Sequence, residues 1–284
     1  MIVAVNATAA LGIALLQHAS EFYHSVGFLK LDIEALNIHT DFSKCSMWDN
    51  LFLLIPAYAF AVSVLTRAYS RDGKPVASTS AMWRPLMIFY NLAMALFSLM
   101  CFLGMSYFVA TNETFTENCL AAKQHNQLFN NLVYAFYLSK YVEFADTLFL
   151  IVKGKKVSWL HWIHHMGAAL DVGILYLSGF EGSWIFVLLN GFVHSVMYTY
   201  YACALMKIKL QGKSIITTLQ IIQFLSGFYM VYEYKNIKCV VEDPNQMLAW
   251  VYNYVYVGLI LLLFLNFYHQ NYVLKSKKAK AKSL

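Results

Sequence analysis

Long apolar blocks separated by short polar stretches recur along most of the chain. Each block is close to the roughly 20 mostly apolar residues that a helix needs to cross a hydrocarbon core of about 30 Å. The pattern therefore predicts an all-α, polytopic membrane protein with about seven transmembrane helices. The predicted spans cover residues 51–69, 86–110, 128–152, 158–178, 184–206, 214–234 and 248–268.

The N-terminal segment is apolar over residues 2–19, but polar residues interrupt it and no basic flank precedes it. A signal peptide needs a basic flank and a small-residue cleavage site. We therefore predict a lumenal or interfacial segment over residues 1–48 that stays on the protein, with an eighth span as the open alternative. No internal repeat or linker is evident, so residues 1–284 are expected to form a single domain that ends in a basic cytosolic tail at 271–284.

Composition and charge support this membrane assignment and predict its orientation. Only 13% of the residues are charged, whereas a soluble domain carries about 25%. The basic residues of alternate loops and of the tail are Arg67, Arg71, Lys74 and Arg84; Lys153, Lys155 and Lys156; Lys207, Lys209 and Lys213; and Lys275, Lys277, Lys278, Lys280 and Lys282. Because cytoplasmic loops carry the excess of Lys and Arg, the N-terminus is predicted to be lumenal and the C-terminus cytosolic. The net charge of +6 then reflects topology, and nucleic acid is not an expected partner.

Two further features favour the endoplasmic reticulum membrane. The glycosylation sequons at Asn6 and Asn112 both fall on the predicted lumenal side, where glycans are added. The C-terminal sequence from Lys280 to Leu284 resembles a dilysine retrieval signal, which is read in the cytosol. Together with the predicted topology, these features indicate a multi-pass protein of that membrane.

The cysteines divide into two groups by their predicted location. Cys101 and Cys203 lie within predicted spans, whereas Cys45, Cys119 and Cys239 fall on the lumenal side, where disulfides persist. We predict that Cys119 pairs with Cys239. The alternative is that both are free thiols.

Ionisable and polar side chains concentrate inside the predicted membrane, where their cost makes them functional-site candidates by default. They recur at helical spacing on four consecutive spans and, at about 1.5 Å per residue, reach one level in the cytosolic half. The catalytic candidates are Lys140, Glu143, Asp146, His161, His164, His165, Asn190 and His194. The candidates for substrate binding are Tyr198, Tyr201, Gln220 and Gln223.

Each of these groups also has a structural interpretation. Lys140 and Glu143, three residues apart, can form a structural ion pair, and a lone His or Gln in a membrane helix is more often an interhelical hydrogen bond than a catalyst. The tyrosines can pack in the interior with their hydroxyls hydrogen-bonded. Packing alone is a poor explanation for three histidines within five residues, His161, His164 and His165.

A histidine cluster is also typical of metal sites, and membrane desaturases and hydroxylases hold two irons in such boxes. Those families need more histidines, spread over several boxes, than the four that can meet here, His161, His164, His165 and His194. We therefore expect no metal and favour acid–base or nucleophilic chemistry, to which histidine is suited because its pKa lies near working pH. A metal-dependent desaturase or hydroxylase is the alternative.

At these residues the chain resembles the very-long-chain fatty acid elongase (ELO) family. The motifs are Lys140-x-x-Glu143-x-x-Asp146-Thr147, His161-x-x-His164-His165, Asn190-x-x-x-His194-x-x-Met197-Tyr198-x-Tyr200-Tyr201 and Thr217-x-x-Gln220-x-x-Gln223-Phe224. Their order, spacing and topology match the family from about residue 51 to the C-terminus.

The resemblance implies a seven-helix bundle around a buried acyl-chain tunnel that is closed on the lumenal side. It also implies the condensing step of fatty acid elongation, in which a long-chain acyl-CoA and malonyl-CoA give a 3-oxoacyl-CoA, CO2 and free CoA without a cofactor. The implied partners are membrane lipid and the other enzymes of the elongation cycle, and a homodimer is left open. Lys153, Lys155 and Lys156 would pair with CoA phosphates, although topology explains these lysines equally well.

For the mechanism, we hypothesise that His164 accepts the acyl group as an acyl-imidazole in a ping-pong sequence. His194 and Asn190 would stabilise enolate or oxyanion charge, and the other polar groups would orient the imidazoles. The alternative is direct condensation in a ternary complex. Within the family, Trp162 after the first histidine resembles relatives that act on saturated and monounsaturated chains, whereas the stretch 166–171, which ends at Asp171, looks more like protist or microalgal elongases of polyunsaturated chains.

A function from another class, a receptor-like or transport protein, is also compatible with seven spans and a lumenal N-terminus. Transporters often show repeats and broken helices, which are not evident here. A receptor has no evident need for His, Lys, Glu and Asp at one depth. Saturable ligand binding without condensation activity would favour this alternative.

Overall fold

The computed structural model describes residues 56–66, 80–112, 127–208, 210 and 212–275, and in this part of the chain the only regular secondary structure is helical. In chain order the α-helices are α1 (Pro56–Thr66), α2 (Ser80–Thr111), α3 (Gln127–Val142), α4 (Phe144–Val152), α5 (Trp159–Leu177), α6 (Ser183–Leu205), α7 (Lys213–Tyr232), α8 (Lys238–Glu242) and α9 (Pro244–Tyr268). A 3₁₀ turn (Glu233–Asn236) follows α7, and a π-helical turn (His269–Val273) follows α9. The predictions for residues 1–48, for most of the tail and for the loop containing Cys119 fall outside the described residues.

The predicted all-α architecture is confirmed, and each of the seven predicted spans contains a helix. The third is divided between α3 and α4 at Glu143, where the Asp146 amide donates to the Glu143 carbonyl at 3.0 Å in a tighter turn. Within the described residues, three helical stretches are long and apolar enough to cross a membrane, namely Trp83–Thr111, Lys213–Asn236 and Pro244–Val273. The count of seven spans and the orientation of the termini stay predictions.

Large apolar side chains cover the outer surfaces of these helices. Phe60 is 72% exposed, Phe89 71% and Leu262 65%, and exposed apolar patches of this kind mark contact with another apolar phase. Ionisable groups such as Lys140 and Glu143 are buried instead. This inverted distribution is typical of a protein that is solvated by lipid hydrocarbon.

The closest helix packing joins α2 and α6, and it depends on the absence of a side chain at Gly191. A Cβ atom at this position would lie 3.0 Å from the Ser98 carbonyl oxygen and 3.0 Å from the Phe102 amide nitrogen. Small residues allow such backbone approach between membrane helices. The contact holds α6 in place, and α6 carries Asn190 and His194.

An apolar cluster closes one end of the bundle. Its members lie where α2, α5 and α7 end and where α3, α6 and α9 begin, and they include Met105, Phe108, Phe129, Phe180, Trp184, Tyr234 and Ala249. The Trp184 indole Nε1 donates to the Tyr234 hydroxyl at 2.7 Å, which ties the start of α6 to the turn after α7. This packed end is the one predicted to face the lumen.

The cysteines in the described part of the chain fall into two states. Cys101 and Cys203, both predicted within spans, are free thiols. Cys239 is disulfide-bonded. Because Cys119 lies outside the described residues, its pairing with Cys239 stays a prediction.

Candidate active site

The beginning of α5 presents a histidine cluster close to the turn that follows α4. Ser158 is the N-cap of this helix, and its side chain accepts a hydrogen bond from the His161 amide at 3.2 Å, which satisfies a donor that the first turn leaves unpaired. His161, His164 and His165 are three and four residues apart and share one helix face. The ring centroids of His161 and His165 are 4.2 Å apart, and those of His164 and His165 are 5.4 Å apart.

A cavity of about 520 Å³ lies beside this face and is lined by α2, α4, α5, α6, α7 and α9. Its lining includes most of the predicted site residues, namely Glu143, Asp146, Lys153, Lys155, His161, His164, His165, His194, Tyr198, Tyr201 and Gln220. The polar faces of four predicted spans therefore meet around one space. We call it the large cavity.

A buried ion pair connects α3 to α6 at the edge of this site. The Lys140 ammonium donates to Glu143 Oε1 at 2.7 Å and to Asn190 Oδ1 at 3.1 Å. His194 Nδ1 lies 3.6 Å from the same Glu143 oxygen. Because Lys140 holds the side-chain oxygen of Asn190, the amide nitrogen of Asn190 is directed away from the ammonium. The pair thus orients Asn190 and lies beside His194.

His161 is oriented by a short chain of hydroxyl groups. The Thr147 hydroxyl lies 2.8 Å from His161 Nε2, and the Tyr58 hydroxyl forms a hydrogen bond with the same Thr147 oxygen. The Tyr58 ring stacks on Phe144, with centroids 3.9 Å apart. These contacts link α1, α4 and α5, and they restrain the His161 ring next to His165.

Asp146 is held by a tyrosine from α6. The Tyr198 hydroxyl donates to Asp146 Oδ2 at 2.7 Å, and Tyr198 has no exposed surface. The Tyr198 ring also meets His194 edge-on, with centroids 5.6 Å apart. Asp146 and Tyr198 therefore form a wall of the large cavity next to His194.

A second cavity, much smaller at about 60 Å³, also borders His164. Most of its lining is apolar, including Phe136, Val172, Phe186, Leu189, Phe224, Val257 and Ile260. Lys140, Asp171, Asn190 and Gln223 contribute the polar part. Among the described residues, His164 is the one that the two linings have in common. We call this space the narrow cavity.

Tyr256 fixes the backbone that carries His164. Its hydroxyl donates to the His164 carbonyl oxygen at 2.9 Å. The ring packs against Gly167, where a Cβ atom would be 2.2 Å from Tyr256 Cε2. Glycine is therefore required at residue 167 for α5 and α9 to approach this closely.

The predicted substrate-binding side chains from α6 and α7 lie on both cavities. Gln220 Nε2 donates to the Met197 sulfur at 3.5 Å beside the large cavity, whereas Gln223 lines the narrow one. Tyr201 is 42% exposed and packs its ring against Tyr198. The structure thus separates two glutamines that lie three residues apart in the sequence.

Basic side chains lie at the rim of the large cavity. Lys153, Lys155 and Lys213 contribute to its lining, whereas Lys156 is exposed and lines neither cavity. Partial burial lowers the pKa of the Lys153 ammonium, and the neighbouring charge of Lys155 lowers this pKa further. A bound anion would offset both effects.

The sequence motifs did not identify three residues that contribute to the site: Tyr58, Asn253 and Tyr256. Each is a polar side chain in an otherwise apolar helix, and such positions are functional candidates in membranes. This signal was present for all three. Their hydrogen-bond partners, however, lie 82 to 92 residues away along the chain. No local sequence pattern identifies partners at such separations.

Within the described residues, no group of three or more His, Cys, Asp and Glu side chains is arranged to hold a metal ion. The histidines instead contact hydroxyls, aromatic rings and a carboxylate. This arrangement suits orientation of imidazoles for acid–base or nucleophilic work.

Comparison with known proteins gives one consistent result. The model of the family described as "ELO: GNS1/SUR4 family" matches residues 44–280. Very long chain fatty acid elongase 3 of Mus musculus is 29% identical over 83% of this chain and 87% of its own length. Very long chain fatty acid elongase 6 of Rattus norvegicus is 30% identical over 78% of this chain and 86% of its own length. Putative fatty acid elongase 4 of Caenorhabditis elegans is 36% identical over 53% of each chain.

Proposed function

Because the chain belongs to the ELO (GNS1/SUR4) family of fatty acid elongases, we propose that it catalyses the condensing step of elongation as a 3-oxoacyl-CoA synthase. A long-chain acyl-CoA and malonyl-CoA would give a 3-oxoacyl-CoA, CO2 and free CoA, with no cofactor. Family membership assigns the role in fatty acid elongation, and the cavities and histidines support the specific reaction. The alternative of a metal-dependent desaturase finds no support in the family match.

The observation that carries the proposal is the position of His164 on the walls of both cavities. The charged CoA portion of a thioester suits the large cavity, and its hydrocarbon chain suits the apolar narrow one. The thioester carbonyl would then lie beside His164. The narrow cavity holds only part of a long chain, so its aromatic side chains must change rotamer when the chain enters.

In the first half-reaction, a neutral His164 imidazole nitrogen attacks the thioester carbonyl carbon. The new carbon–nitrogen bond forms as the carbon–sulfur bond breaks, and the proton lost from the ring goes to the departing CoA thiolate. Charge that develops on the carbonyl oxygen needs preorganised donors. The Asn190 amide, which Lys140 orients at 3.1 Å, is the candidate.

In the second half-reaction, malonyl-CoA loses CO2 and leaves an enolate. The enolate carbon attacks the acyl-imidazole, the carbon–carbon bond forms as the carbon–nitrogen bond breaks, and the released His164 nitrogen takes up a proton from water. His194, which lies 3.6 Å from Glu143, would stabilise the enolate oxygen. His161, His165 and Asp146 would orient the imidazoles.

The competing mechanism is direct condensation in a ternary complex, with the histidines only binding and polarising the substrates. Exposure of the protein to acyl-CoA alone separates the two schemes, because only the ping-pong scheme forms a covalent intermediate. Intact-mass analysis should detect an acyl adduct that is absent from the His164→Ala variant. Absence of any adduct in a protein that turns over would support the ternary complex.

The basic rim suggests how CoA is held. Lys153, Lys155 and Lys213 at the mouth of the large cavity can pair with CoA phosphates, since ammonium groups bind phosphate through charge-assisted hydrogen bonds. Lys156 can assist from the adjacent exposed surface.

Location, substrate and assembly form the remaining parts of the proposal. The charge pattern and the tail support the endoplasmic reticulum membrane, with both CoA substrates arriving from the cytosol. The stretch 166–171 supports a preference for polyunsaturated chains. The product requires reduction and dehydration, so the partners would be the reductases and the dehydratase of the cycle, within the lipid bilayer, and a second copy of the chain could join them.

Condensation can be tested directly with the full chain purified in detergent. Incubation with acyl-CoA and labelled malonyl-CoA should give 3-oxoacyl-CoA and CO2 in equal amounts. His164→Ala should abolish product, whereas His269→Ala, which changes an exposed histidine outside both cavities, should leave it unchanged. Folded protein that gives no product with saturated or unsaturated acyl-CoAs would refute the proposed reaction.

A further inference from the structure

One member of a buried polar pair, Asp171, lines the narrow cavity, whereas its partner Asn253 is not part of the lining. Asp171 lies seven residues after His164 on α5, which places it on the same face about 10 Å further along the helix. Asn253 of α9 donates its Nδ2 to Asp171 Oδ2 at 2.8 Å. The side chains are 4% and 0% exposed. The other side-chain oxygen of each residue, Oδ1, has no hydrogen-bond partner in the described part of the chain.

The hydrogen-bond pattern shows what Asp171 offers to the cavity. A charged carboxylate at membrane depth is costly without a counter-charge, and in the described part of the chain Asp171 has neither an ion pair nor a basic hydrogen-bond partner. A neutral carboxyl whose Oδ2 accepts from Asn253 carries its proton on Oδ1. Asp171 then holds an unpaired O–H donor within the wall of the space that His164 also lines.

We propose that Asp171 is a specificity-determining residue that favours acyl chains with a hydrogen-bond-accepting group near mid-chain. The inference rests on the proposed function, because it assigns the narrow cavity to the acyl chain. A saturated chain at this depth covers the donor with methylene groups and leaves it unpaired. A double bond offers π electrons, and a hydroxyl offers a lone pair. Both groups can therefore accept a hydrogen bond from Asp171.

The size of the discrimination follows from the cost of an unmade hydrogen bond. A site built to hydrogen-bond a substrate rejects an analogue that lacks the group, because the buried polar side chain is left without a partner. One weak hydrogen bond to a mid-chain group corresponds to a preference of about tenfold. The depth of Asp171 requires the group to lie at mid-chain rather than beside the thioester or at the chain end.

The test compares kcat/KM of the purified full-length protein for four acyl-CoAs of equal chain length: saturated, monounsaturated at mid-chain, hydroxylated at mid-chain, and hydroxylated at the terminal carbon. We expect the native protein to prefer one of the mid-chain substrates over the saturated chain by about tenfold. Asp171→Leu should remove this preference while the saturated chain is still elongated. The preferred substrate identifies which acceptor the site takes.

Asp171→Asn is the matched variant, since its amide still provides a donor in the same shape. It should retain the preference, and it also covers the case in which Asp171→Leu fails to fold. Equal kcat/KM for all four substrates would overturn the inference, as would a preference that Asp171→Leu leaves unchanged. If the native protein condensed none of the four substrates, the proposed function itself would be refuted.

Discussion

The side chain of Lys140 places an ammonium group in the interior of a membrane protein. Lys140 is 3% exposed and Glu143 2%, and each would carry a large desolvation cost without the other. The sequence alone leaves open whether this pair is structural or serves the site. We propose a positioning role beside the structural one, because the same ammonium that neutralises Glu143 also holds the Asn190 side-chain oxygen.

Removing one member of the pair should destabilise the protein more than removing both. Lys140→Met leaves a buried carboxylate without its counter-charge, and we expect the free energy of unfolding to fall by about 3–5 kcal/mol. Adding Glu143→Gln removes the second charge, and most of the lost stability should return. Thermal unfolding of the detergent-purified variants measures both effects.

Condensation activity of the same variants separates the two roles. If the pair positions Asn190 and His194, the double variant recovers stability but not activity. A double variant as active as the parent would show that the pair is structural only. A single variant as stable as the parent would contradict the argument from buried charge.

The contact between Gly167 and Tyr256 gives a second prediction for a single residue. Gly167→Ala places a Cβ atom 2.2 Å from the Tyr256 ring, so the ring must move and its hydroxyl leaves the His164 carbonyl. We expect turnover to fall by about ten- to a hundredfold, since small displacements of reacting groups have effects of this size. Steady-state kinetics measure the loss.

Gly258→Ala on α9 is the control for that substitution. Its Cβ atom would meet Phe228 at 3.4 Å, an ordinary contact, and activity should be close to that of the parent. Equal activity of the Gly167→Ala variant and the control would contradict the positioning role of Tyr256.

Among the helices, the packing of α2 on α6 bears most directly on the site. Asn190, His194 and Tyr198 all lie on α6, and their positions depend on how closely that helix approaches α2. Gly191 permits the approach, because backbone atoms of α2 lie against the position that a Cβ atom would occupy. The helix pair therefore acts as a rigid support for one wall of the large cavity.

Gly191→Ala should push α6 away from α2. The nearest atoms are backbone, which cannot rotate aside, and we expect overpacking to cost about 1–3 kcal/mol and to reduce activity. Gly227→Ala on α7 is the matched control, because its Cβ atom would lie 3.7 Å from a Leu189 methyl group. Alanine at residue 227 of α7 should leave the free energy of unfolding unchanged or raise it by up to about 1 kcal/mol.

Unfolding temperatures of the two glycine variants provide the measurement. The difference should appear as a lower unfolding temperature for Gly191→Ala only. Equal unfolding temperatures would show that α2 and α6 can separate slightly without loss of stability. The close approach of the two helices would then not explain why residue 191 is glycine.

At the scale of the whole molecule, the two ends of the bundle differ. One end is filled by packed aromatic and aliphatic side chains around Trp184 and Tyr234. The other end holds the large cavity with Lys153, Lys155 and Lys213 at its rim. In the described part of the chain one end is packed and the other is open and basic, and this difference suits the proposed entry of anionic CoA thioesters from the cytosol.

The helices and the candidate residues of the site could be predicted from the sequence. Apolar blocks of about 20 residues predicted helical segments that the structure contains, and polar side chains at helical spacing predicted which helix faces meet at a common level. These patterns are local: a helix forms from its own residues, and an ionisable group in an apolar block is visible without knowledge of its neighbours.

Tertiary structure decided which side chains meet and how the interior is divided. The contact of His161 with Thr147, that of His164 with Tyr256 and that of Asp171 with Asn253 each join separate helices. The division of one polar face into a large and a narrow cavity, with His164 between them, depends on packing at the scale of ångströms. The physical reason is that helix formation follows from local composition, whereas the rotation and spacing of packed helices depend on all the contacting side chains together.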